Sequence, residues 1–187
     1  MMLRSSRRWP VWCLAGLLLS AVVTAIADSR TWKPTASKLA QDYATIVDQR
    51  GRGDLVMLLW LAPESLPEDQ HVAREILSKY VVLGALHAKM DATGTFSFDD
   101  VNSLNISDSS GRPLVALDNS GMPPTITGTI ATVQAIMGQA AGPFGRGFHW
   151  FVYRGDTVHS CQKGGMSIQF ANETYTYETP IPGCPKS

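Results

Sequence analysis

The sequence predicts an α+β fold: an antiparallel sheet ending in a C-terminal β-meander, with about three helices packed on one side. Three observations predict it. Helical and strand-like segments do not alternate in a βαβ rhythm, tight-turn signals crowd the second half, and the last forty residues read as strands joined by short turns. A β-sandwich with helical insertions is the alternative, since many short strands with regular turns also fit it.

The N-terminus comes first in the chain. Arg4, Arg7 and Arg8 form a basic segment, and Val11 to Ala27 carries no charge and ends in Ala25-Ile26-Ala27. That is the pattern of a cleavable signal peptide over residues 1–27, with Asp28 as the new terminus. A membrane anchor would need about 20 apolar residues; this run is shorter and holds Ser20 and Thr24. Removing 27 of 187 residues leaves 160, the size of a single domain. Three arginines leave a chain with 16 basic and 16 acidic residues, so the net charge becomes −3. No basic stripe survives, which argues against nucleic acid and anionic membrane surfaces. A periplasmic or secreted location follows, with no stable membrane span after cleavage.

Within the 28–187 domain, Thr35 to Gln49 reads as a helix, with Leu39, Tyr43, Ile46 and Val47 at helical spacing and Gly51 and Gly53 as its stop. The apolar run after Asp54 suits a central strand covered on both faces. Ser65-Leu66-Pro67-Glu68 reads as a capping box opening a second helix to about Lys79, with Val72, Ile76 and Tyr80 inward. Tyr80 to Met90 reads as a strand interrupted by Gly84. Short polar–apolar segments follow, including the turn Asp108-Ser109-Ser110-Gly111, and then a third helix with Ile126, Ile130, Val133 and Met137 on one face. The final stretch reads as a hairpin, Phe148–Tyr153 against Thr157–Cys161 around Gly155-Asp156, followed by strands Met166–Phe170 and Thr174–Glu178.

Cysteine usage adds one constraint. Cys13 leaves with the signal, and Cys161 and Cys184 then pair as a disulfide in an oxidising compartment. The bridge ties the proline-rich tail back to the hairpin.

Chemistry-bearing residues are sparse. His71 falls in the polar start of the second helix. His87 and Asp91 share a strand face but lie about 13 Å apart, too far for a hydrogen bond. His149 and His159 sit on the two hairpin arms, yet a type II′ turn pairs Val152 with His159 and puts the two histidines on opposite faces. No metal site and no cofactor is expected, since a metal needs three or four converging ligands. No G-x-S-x-G elbow or triad spacing occurs. Asp99-Asp100 reads as a solvated loop pair, Arg154-Gly155-Asp156 as a turn, and Asn105-Ile106-Ser107 and Asn172-Glu173-Thr174 as glycosylation sequons relevant only in a glycosylating host.

The aromatic content of the meander is the one feature leaning towards a function class. Trp150, Phe151 and Tyr153, with Tyr175 and Tyr177 on a later strand, enrich both faces of the sheet. One face must be core; the other is either covered or an exposed binding patch. The expectation is an exported, non-enzymatic binding protein of the cell envelope, of inhibitor, immunity or adaptor type, recognising a protein or small-molecule ligand through that sheet. The alternative is a small hydrolase with a site assembled from His87, Asp91, His149 and His159.

Overall fold

The computed structural model describes residues 29–32, 44–51, 53–118 and 120–185. The predicted signal peptide and residues 35–43 of the predicted first helix lie outside them. Among the described residues, two sheets and three helices make three layers. Sheet A has the strand order β1 (Ser29–Thr31), β9 (Glu173–Thr179), β8 (Gly164–Phe170), β6 (Asn105–Asp108). Sheet B runs β2 (Thr45–Gln49), β3 (Asp54–Trp60), β4 (Tyr80–Met90), β5 (Phe96–Asp99), with β7 (His149–Arg154) also on β4. All pairings are antiparallel except β1 with β9. The α+β prediction holds.

Sheet B is the middle layer. One face sets Val56, Leu58, Trp60, Val81, Leu83 and Tyr153 against Ile106, Met166, Ile168, Tyr175 and Tyr177 of sheet A. Its other face sets Leu59, Val82, Leu86, Ala88 and Val152 against α1 (His71–Leu77) and α2 (Pro124–Ala141), with α3 (Pro143–Arg146) beside them. Strand alternation splits β3 and β4 between these two cores, which is why both are apolar at nearly every position. Gly84 does not interrupt β4; a Cβ there would sit 3.0 Å from the Phe148 ring and 3.2 Å from Trp150, so glycine lets the two aromatics lie against the strand.

Three local readings need correction. Thr45–Gln49 is a strand, not the end of a helix. The glycines after it, with φ +116° at Gly51 and +79° at Gly53, turn a hairpin closed by Arg50 N–H donating to Asp54 O at 2.9 Å. Spacings of three and four residues over one short window also suit β-branched Thr45, Ile46 and Val47 in a strand. The second helix starts at His71, and its cap Gln70 makes no side-chain bond; Ser65 ends a 3-10 turn instead. Ile76 and Tyr80 pack against the core as expected and Leu77 is fully buried, while Val72 is exposed.

The third correction is the largest. Residues 157–161 form no strand, and β7 pairs with β4, setting Val152 opposite Val82. A strand's best partner is decided by what apolar surface it buries, and β4 offers β7 an edge flanked by both cores. The β8–β9 hairpin forms as predicted, with Phe170 opposite Glu173. The helix over 126–137 also forms, extended to Pro124–Ala141.

Candidate functional site

Of the five aromatic residues three are buried, and Trp150 and Phe151 are half-buried. Tyr175 and Tyr177 have no exposed surface and Tyr153 is 3% exposed. Tyr177 packs edge-on to Trp60 at 5.7 Å and donates its hydroxyl to Leu58 O at 3.1 Å. Tyr153 donates to Leu104 O at 2.9 Å, and burial pushes its pKa up to about 12. Phe151 packs at the edge of the inter-sheet core. Trp150 lies on the opposite face, under the helices, and its indole N–H donates to Gln134 Oε1. Both faces of β7 therefore pack against a core, with Trp150 and Phe151 half-buried at its margins.

Alternation then identifies the other side of the same strands. If Tyr175 and Tyr177 point inward, Thr174, Thr176 and Glu178 point outward. Register extends this into two rows across sheet A: Asn105, Gln169, Thr174 and Ser29, then Ser107, Ser167, Thr176 and Thr31. All eight are half-buried or exposed. Each carries a hydroxyl or carboxamide and none a charge; Glu178 adds a carboxylate at one end. Ser167 Oγ and Thr176 Oγ1 lie 3.4 Å apart. Strand spacing of about 4.8 Å sets these groups in a flat array of donors and acceptors. Only the alternation of β8 and β9 could have marked this face in the sequence, and the aromatic positions drew attention to its reverse.

A second polar cluster closes one end of the gap between the sheets. His87 Nε2 is 2.8 Å from Asp54 Oδ1 and its Nδ1 is 2.9 Å from Asp99 Oδ2. Asp54 also receives Arg50 Nη2 at 2.9 Å, and Asp99 receives Lys89 Nζ at 2.7 Å. Arg50 Nη1 donates to Ala171 O in the β8–β9 turn, and Phe170 stands edge-on to the imidazole. Tyr175 donates to Asp48 Oδ2 at 3.0 Å. Burial pushes the Asp54 carboxyl up, but hydrogen bonds from His87 and Arg50 outweigh it and hold the group below the usual range. The Lys89 ammonium chiefly holds Asp99 low. With both ring nitrogens engaged by carboxylates, His87 has none left to serve as a general base. The cluster ties four strands of sheet B to the β8–β9 turn.

The remaining candidates are dispersed. Asp91 caps the β4–β5 turn, accepting from Thr93 N at 2.8 Å and Thr95 N at 3.0 Å. His149 Nε2 lies 4.0 Å from Asp100 Oδ1, and His71 is exposed. His159 lines a cavity of about 180 Å³ with Glu64, Trp60, Tyr80 and Cys161. His87, Asp91, His149 and His159 are not brought together. Gly155 of the Arg-Gly-Asp tripeptide is buried, and a Cβ there would lie 3.0 Å from the Tyr80 backbone, while Arg154 and Asp156 are exposed. Asn105 and Asn172 are exposed.

The disulfide forms between Cys161 and Cys184, with Cα atoms 5.3 Å apart. Glu64 stands against it, and the three side chains bring ligand-type atoms within 4.8 Å of one another. Two sulfurs bonded to each other offer no thiolate, so the trio does not form a metal site in this state. Among the described residues no helix is long and apolar enough to cross a membrane. Comparison with protein-family models, with curated proteins and with solved structures found no match to this chain.

Proposed function

We propose that the protein is an exported, non-enzymatic binding protein of the cell envelope, of inhibitor, immunity or adaptor type, working through the outer face of sheet A. The observation that carries this reading is the two-row array of Ser, Thr, Asn and Gln side chains across four strands. Sheet B has both faces covered, whereas the two polar rows of sheet A are half-buried or exposed. Flat arrays of uncharged donors and acceptors suit a broad partner surface better than a small ligand, which needs a concavity. Recognition then depends on hydrogen bonding and shape, and complex formation should change little with ionic strength. Export rests on the signal-like residues 1–27, and the disulfide is compatible with an oxidising compartment.

The test is co-purification of the full chain from its own host. Thr176→Arg sets a long charged side chain in the middle of the array and should weaken partner capture roughly 30-fold or more, as at an interface centre. Thr132→Arg, on the exposed side of α2, should leave capture unchanged. Equal capture by both folded variants would remove sheet A from the function. Loss of a measurable hydrolytic activity in folded His87→Gln would replace the binding reading with the enzyme one.

A further inference from the structure

Glu64 reaches the disulfide from the 3-10 turn at Pro63–Ser65, which follows β3. Its Oε1 lies 3.1 Å from Cys161 Sγ. Its Oε2 is sealed from solvent and has no hydrogen-bond partner among the described residues. This placement is unfavourable in the oxidised protein. A disulfide sulfur carries no hydrogen, so it cannot donate to the carboxyl group, and an unsatisfied buried acceptor costs free energy. Opening the bridge relieves the contact at Oε1, because the Cys161 thiol then donates S–H to that oxygen at the distance already present. Both cysteines are half-buried rather than enclosed, and the neighbouring cavity of about 180 Å³ is lined by Cys161, exposed His159 and exposed Gln162. It offers a path for an incoming thiol.

We propose that Cys161–Cys184 is a redox-active pair, reduced by a dithiol that enters beside His159 and Gln162, with Glu64 as the positioning residue that holds the Cys161 proton in the reduced state. A thiolate of the dithiol attacks Cys161 Sγ; an intermolecular S–S bond forms, the Cys161–Cys184 bond breaks, and its electron pair leaves on Cys184 Sγ. The second thiol of the donor then attacks its own sulfur in the mixed disulfide and releases Cys161. The donor is oxidised to a disulfide, losing two electrons and two protons. Those protons end on Cys184 and on Cys161, where the carboxyl group of Glu64 accepts the S–H bond. Cys184 Sγ, 3.4 Å from Ser160 O, has an acceptor of its own once reduced. The tail is retained by Ile181 N–H donating to Ser160 O at 2.8 Å and by the buried Ile181 side chain, so the reduced protein keeps its fold.

The experiment equilibrates the folded full chain with glutathione buffers and reads the thiol fraction by mass after acid quench. Glu64→Gln keeps the shape but loses the charge-assisted acceptor, and should shift the equilibrium towards the disulfide about tenfold. A second measurement uses Cys184→Ser, which leaves Cys161 free beside Glu64. In that background, adding Glu64→Gln should make Cys161 alkylate at lower pH, because a neighbouring carboxylate opposes the thiolate. A purely structural glutamate would move neither readout. The proposal is overturned if the Glu64→Gln equilibrium and the alkylation profile both match their parents, or if dithiothreitol opens the bridge only at denaturant concentrations that unfold the protein.

Discussion

The two sheets differ in how they meet solvent, although both are antiparallel or nearly so. Sheet B is covered on both faces, and its strands read as continuous apolar runs such as Leu55 to Trp60. Among the described residues sheet A packs on one face only, and β9 alternates strictly, with Thr174, Thr176 and Glu178 out and Tyr175, Tyr177 and Thr179 in. The lesson concerns where information can sit. A strand buried twice spends every position on packing, whereas a strand buried once has half its residues free for recognition. Within one strand the two faces should therefore respond oppositely to mutation.

The largest expected effect is on the inner face. Tyr177→Ala removes a ring with no exposed surface and its hydroxyl bond to Leu58. It should destabilise the protein by about 3–5 kcal/mol, measured by urea unfolding. A loss below about 1 kcal/mol would break the assignment of that face to the core.

Next comes the closure at the end of the inter-sheet core. The bridge spans a sequence separation of 23, and the tail it pins carries buried Ile181. Cys184→Ser should cost roughly 3 kcal/mol in the chain-entropy model, while Ile181 keeps the tail docked and protected from protease. Unchanged unfolding would mean that Ile181 alone holds the tail.

A pH titration sharpens the same contrast. Burial raises Tyr153 to about 12, and it pushes Tyr175 and Tyr177 up as well. These folded-state values exceed the ordinary 10, so the stability that depends on neutral tyrosines is complete below pH 10. It is lost as pH rises through about 12, by on the order of 2–3 kcal/mol for Tyr153. Alkaline denaturation followed by tyrosinate absorbance should begin above pH 10, with ionisation and unfolding coincident. Ionisation near pH 10 in a protein that stays folded would contradict the burial of these rings.

The smallest effect belongs to the outer face. Thr176→Ala, one residue from Tyr177, should change stability by no more than about 0.5 kcal/mol. A larger loss would show that this row supports the sheet rather than facing a partner.

Sequence alone determined the α+β class, the strands at 54–60 and 80–90, the helix near 126–137, the β8–β9 hairpin and the pairing of Cys161 with Cys184. Each follows from local signals: an uninterrupted apolar run, a 3.6-residue repeat, a turn, or the two cysteines left when residues 1–27 are read as a signal peptide. Tertiary structure decided the rest. Thr45–Gln49 became a strand because β3 offered it an edge, and β7 left its expected partner because β4 buries it on both faces. Alternation in sequence could say that Tyr175 and Thr176 face opposite ways, but not which of them meets sheet B. The polar cluster was equally out of reach. Asp54, His87 and Asp99 are separated by 33 and 12 positions and meet only because β3, β4 and β5 lie side by side, each bringing one partner to the same end of the sheet. Glu64 and Cys161 are 97 residues apart, and no local pattern links a 3-10 turn to a cysteine beyond β7. Contacts at such range depend on which strands pair, and pairing is settled by the total apolar surface buried, a property of the whole fold.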